Sequence, residues 1–110
     1  RQKERLSYKI KKIIEENYNQ HFLGLCYISE QVGVSTSYVS KVFKEEYGIG
    51  VVEYMNELRI KAAKKLMEKE GITIKEVAEQ VGFTSDIHFI RIFKKYENIT
   101  PGVYKRQNKV

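Results

Sequence analysis

Cysteine, histidine and proline are all scarce in this chain, and each scarcity excludes something. The single cysteine, Cys26, rules out an intramolecular disulfide and fits a reducing cytosol. The two histidines, His21 and His88, give with that one thiol no metal-ligand spacing. No glycine-rich phosphate loop and no nucleophile with a base nearby is visible either, so the chain lacks the parts of an enzyme and no cofactor is expected. No run approaches the roughly 18 apolar residues of a membrane span, and no signal peptide is seen, so no membrane partner is expected. Alternating strand patterns are missing as well. With Pro101 the only proline, apolar residues recur at helical spacing nearly throughout, which makes the expected fold all-α.

At 110 residues the chain fits one domain or two very small ones, with a modest core and no room for a large cleft. It begins at Arg1 without a methionine, as a piece of a longer protein would. The formal charge of +6 and pI near 9.4 favour a polyanionic partner. That charge is uneven: residues 1–23 carry +3, 24–50 carry −1, 51–71 carry +1 and 72–110 carry +3.

The strongest internal signal is a repeat. Glu30-Gln31-Val32-Gly33 returns as Glu79-Gln80-Val81-Gly82, and Lys41-Val42-Phe43-Lys44 is answered by Arg91-Ile92-Phe93-Lys94. The offset is 49 at the glycines and 50 at the phenylalanines, so the second copy gains one residue just after Gly82. Two copies of one unit suit a target that itself repeats, such as double-helical DNA, whose major groove returns to one face about every 34 Å.

Stripes and caps place the helices. Leu6, Ile10, Ile13, Ile14 and Tyr18 form one stripe, with Lys9, Lys11 and Lys12 on a solvated side. A short helix from Leu25 to Val32 ends at Gly33. Ser35 caps a third helix to Tyr47, with Val39, Val42 and Phe43 inward. Val51 to Lys69 is the longest helical pattern, nineteen residues or about 28 Å, close to one turn of the duplex. Such a rod sets a spacing that a flexible linker could not. Thr73 and Glu76 make a capping box, Ser85 or Thr84 caps the next helix, and Thr100-Pro101 opens a last short helix through Tyr104, with a frayed tail from Lys105. The chain thus divides into residues 1–50 (first helix and first unit), 51–70 (linker helix) and 71–110 (second unit and terminal helix).

Two short helices joined at a tight turn, with a small residue four positions before a glycine, are the ingredients of a helix-turn-helix. Ser29 with Gly33 and Ala78 with Gly82 supply them twice. From Ile28 to Ser35, then Tyr38, Phe43-Lys44, Gly48, Tyr54, Leu58-Arg59-Ile60, Ala62-Ala63 and Leu66, the chain resembles the first half of an AraC/XylS-type DNA-binding domain. Ile74 to Phe83, Phe89, Arg91, Phe93-Lys94-Lys95-Tyr96, Thr100-Pro101 and Tyr104 are similar to its second half. The likeness covers about residues 20–106. It implies seven helices, two helix-turn-helix units on a long linker, and a bacterial transcription regulator with its third and sixth helices in successive major grooves. It also implies RNA polymerase as a partner, and a covalently linked sensor or receiver domain, as in a two-component response regulator. Three features depart from the family pattern: Gly24 replaces a Ser or Thr cap, Asn98 replaces a glycine, and Ile87, His88 and Ile90 replace small polar or tyrosine residues. Asn tolerates the left-handed conformation.

Carried onto this chain, the resemblance makes Thr36, Ser37, Ser40 and Lys41 the base-facing set of the third helix. Ser and Thr pair with several bases, so that helix discriminates weakly, while Lys41 can reach guanine or settle on a phosphate. On the sixth helix Arg91 can fork onto guanine O6 and N7. Ile87 and Ile90 suit thymine methyl groups, or else contact with the last helix or a missing domain. His88 is open between a base or phosphate contact and a packed ring. Lys44, Lys94 and Lys95 approach phosphates, as do the backbone amides near Ser35, Ser85 and Thr100. The rival to DNA binding is a helical protein-interaction module.

Overall fold

Apolar stripes become helices here, and each helix ends where a capping group allows it. The structure, a computed structural model, describes residues 1–108, and among them are seven helices and no strand. They are α1 (Gln2–Asn17), α2 (Leu25–Val32), α3 (Thr36–Tyr47), α4 (Val51–Leu66), α5 (Ile74–Gln80), α6 (Asp86–Glu97) and α7 (Pro101–Gln107). Ser35, Thr73, Ser85 and Thr100 all accept a hydrogen bond from the backbone N–H three residues on, at 3.1, 3.1, 3.3 and 3.3 Å. The Glu76 carboxylate returns a bond from the Thr73 N–H at 2.9 Å, completing the capping box. Of Thr84 and Ser85, Ser85 is the cap. Asn98 takes the left-handed conformation at φ 68°, as its side chain permits, and closes α6.

The molecule is elongated, 49 Å on its long axis, and carries two cores. Ile10, Ile14, Ile28, Val39, Phe43 and Met55 belong to the first; Ile60, Ala63, Val77, Val81, Phe89 and Phe93 belong to the second. The linker helix serves both, with Val51 and Met55 in one and Ile60 and Ala63 in the other. It is unbroken. A helix floored into two cores resists bending at its middle, because a bend there exposes apolar surface at roughly 25 cal/mol per Å².

Three expectations are corrected. The linker helix stops at Leu66 rather than Lys69, which shortens it to 16 residues or about 24 Å. Glu68 and Lys69 bond instead to carbonyls three residues back, since Glu68-Lys69-Glu70 offers no apolar face and Gly71 at φ 80° turns the chain. The terminal helix continues past Tyr104 to Gln107, because the Lys105 ammonium donates to the Ile72 carbonyl and the Asn108 amide caps the Tyr104 carbonyl. Val110, the end of the tail expected to fray, lies with residue 109 outside the described residues. Lys11 is not simply solvated: its ammonium sits 4.9 Å from the Tyr47 ring centroid and joins α1 to α3.

Candidate nucleic-acid interface

An offset of 50 residues superimposes the two exposed helix faces. Ser37, Lys41 and Lys44 on α3 correspond to Ile87, Arg91 and Lys94 on α6, and all six are exposed. Spacings of four and three put each trio on one helical stripe. The buried side obeys the same offset: Val39 and Phe43 are matched by Phe89 and Phe93, all 0% exposed. The core rows therefore aim the exposed rows outward.

The remaining candidates flank those stripes. Thr36 and Ser40 are half-buried, so they border the α3 face rather than crown it. Ile90 is half-buried against the second core, which favours its packing role over free presentation, whereas Ile87 protrudes at 69% exposure. His88 combines both of its readings. It is exposed, yet its ring meets the Phe83 ring edge-on at 5.4 Å and 85°. Lys95 is exposed beside Lys94, while Glu45 occupies the corresponding place on α3. The hydroxyls of Ser35, Ser85 and Thr100 are committed as caps, so only their backbone amides are free for an anion.

Two residues escaped the sequence reading of the site. Tyr38, the partner of His88 under the same offset, is 36% exposed on the rim of the α3 stripe; pairing the faces residue by residue would have found it. Arg59 is 6% exposed and lies between the two units, bonded to backbone carbonyls more than thirty residues away. No local pattern signals that contact.

The electrostatics fit an anionic target. Among the described residues the ion pairs are Arg1–Glu4, Lys12–Glu15 and Lys64–Glu97. Lys41, Lys44, Arg91, Lys94 and Lys95 belong to none of them, so meeting a phosphate breaks no existing pair. Among the described residues no cluster of three or more His, Cys, Asp or Glu side chains is placed to hold a metal ion, and no described helix is long and apolar enough to cross a membrane.

Two buried helix-turn-helix cores on one continuous helix, each presenting an exposed stripe that carries cations, define a bipartite helix-turn-helix domain of the transcription-regulator class. The chain matches the family model described as helix-turn-helix domain over residues 28–107, and it belongs to that family, in its AraC-type branch. It is 36% identical over 87 residues to an uncharacterized HTH-type transcriptional regulator, YtdP of Bacillus subtilis, covering 79% of this chain but only 11% of that protein. The C-terminal domain of the two-component response regulator yesN from Fusobacterium nucleatum superposes with a TM-score of 0.83 at 40% identity, covering 87% of this chain and 93% of that one. The C-terminal domain of AraT, a response regulator from Geobacillus stearothermophilus, gives 0.89 at 28% identity, with 96% and 87% covered.

Proposed function

We propose that the chain binds double-stranded DNA sequence-specifically, with α3 and α6 in successive major grooves. It would act as the output domain of a longer cytoplasmic regulator, for which a phosphoacceptor receiver is the favoured attached domain and RNA polymerase the downstream partner. The observation that carries this reading is the paired stripe, Ser37-Lys41-Lys44 and Ile87-Arg91-Lys94, with cations that join no ion pair among the described residues and both rows aimed by matched buried residues. Arg91 and Lys41 are assigned to base edges, Ile87 to thymine methyl groups and His88 to the groove wall. Ser37, with Thr36, Ser40 and Ile90 at the margins, shapes the fit. Lys44, Lys94, Lys95 and the backbone amides near Ser35, Ser85 and Thr100 are assigned to phosphates.

Selection from a random-sequence duplex library tests it. The expected product is a motif of two blocks about 10–10.5 base pairs apart, bound with an affinity that falls log-linearly with salt. A chain that enriches no sequence, or whose binding ignores salt, would instead be a protein-interaction module.

A further inference from the structure

Arg59 occupies a place that neither core requires. It comes from the middle of α4 and is 6% exposed, and no carboxylate neutralises it among the described residues. Its Nε donates to the Tyr18 carbonyl at 2.6 Å and its Nη2 to the Gln20 carbonyl at 3.1 Å. Tyr18 is the C-cap of α1, so Arg59 serves from another helix a carbonyl at the negative end of that helix's dipole. Through Gln20 it also holds the following turn, where the same Gln20 carbonyl accepts the Leu23 N–H at 3.2 Å. The guanidinium carbon lies 5.2 Å from the centroid of the Phe83 ring, in the α5–α6 turn of the second unit. Burial lowers its pKa from the ordinary arginine value.

Gly82 closes the contact. A Cβ there would stand 2.7 Å from the Tyr18 carbonyl oxygen, 3.0 Å from the Asn19 carbonyl carbon and 3.0 Å from Arg59 Nε. The backbone of the second unit therefore touches the end of α1 directly, and at φ 106° the position suits glycine alone. The extra residue of the second copy falls just after this point, in Phe83-Thr84-Ser85 against Val34-Ser35.

Burying a guanidinium is costly, and an apolar side chain would cover the same area more cheaply. What the arginine adds is direction: a planar fork satisfied by two carbonyls and one ring face accepts few relative placements of the units. We propose that Arg59, seated against Gly82, is a positioning residue for bipartite recognition, fixing the phase of α6 relative to α3. The proposal rests on the DNA-binding reading above. A linked pair of readers gains affinity from the second site only when its geometry matches the spacing of the target. Loosening the clamp therefore affects two-site binding and leaves each reader alone.

The test compares wild type with Arg59→Lys, which keeps the charge but not the fork, and with Gly82→Ala, which intrudes on the same contact. Three duplexes are used: the selected motif, the motif with one base pair inserted between its blocks, and the motif with one block scrambled. On the selected motif both variants are expected to lose about tenfold in affinity. The penalty for the insertion is expected to shrink, while affinity for the single block stays within about twofold. Residual dipolar couplings measured without DNA provide a readout independent of binding. One alignment tensor is expected to fit α1–α3 and α5–α7 together in wild type, and two are expected in the variants. Variants that keep the wild-type insertion penalty and a single tensor overturn the clamp while leaving DNA binding intact. A wild type that binds no duplex removes the DNA-binding reading and this proposal with it, whatever the couplings show.

Discussion

The Tyr54 hydroxyl donates a 2.7 Å hydrogen bond to the Glu15 carboxylate, tying the linker helix to α1 across 39 residues of sequence. Burial, and then this bond, pushes the Tyr54 pKa up to about 12. The folded state therefore holds the phenol proton more tightly than the unfolded chain, whose tyrosine titrates near 10. The stability this contributes is fully present below about pH 10 and is lost as pH rises from about 10 to 12. Tyr54→Phe should lower stability at neutral pH by about 1 kcal/mol. It should also flatten the decline between those pH values relative to wild type. Urea melts at pH 8, 10 and 11 check it; equal slopes for the two proteins would break the link between the bond and the titration.

Arg91 and Lys94 share one stripe but are assigned different work. Arg91→Ala should lose preference at one base pair, about 1–3 kcal/mol of discrimination. Lys94→Ala should weaken all sequences alike and lower the magnitude of the salt slope by about 1. Binding to a set of single-base variants of the selected motif, at several salt concentrations, separates the two. Matching specificity profiles for both mutants would contradict the assignment.

Ile87 projects 69% of its surface at the start of α6 with no core role, and a thymine methyl group is the apolar feature of the major groove. Replacing each thymine of the motif in turn with deoxyuridine removes only that methyl. One such replacement should weaken wild type several-fold and leave Ile87→Ala indifferent. If the alanine variant still senses every methyl that wild type senses, the contact belongs to another residue.

Local features were legible in the sequence because their determinants lie within four residues. The caps at Ser35, Thr73, Ser85 and Thr100 and the left-handed Asn98 depend only on their own turns. The stripes around Phe43 and Phe93 follow from helical period, and the repeat exposed the pairing of units. What stayed hidden is the joint between them. Arg59 meets Tyr18 across 41 residues and Lys64 meets Glu97 across 33. A spacing rule has nothing to register at those separations, and a buried arginine looks like any other cation on a helix. Tyr38 was hidden differently, by standing where its partner in the repeat is a histidine.

The linker alone was expected to act as the ruler between the units, yet they also touch directly at Arg59 and Gly82, and Lys64 binds Glu97 at 3.1 Å. Ala62, half-buried on α4, separates the two devices. Ala62→Gly raises the entropic cost of keeping the helix and should reduce stability by about 1 kcal/mol, a drop in Tm of roughly 5 °C for a domain of this size. It removes no contact of the clamp. Affinity across duplexes with the blocks moved by one or two base pairs should therefore fall off as steeply as for wild type, even as the melting temperature drops. A broadened spacing profile for Ala62→Gly would mean that helix stiffness, and not the joint between the units, sets the register on DNA.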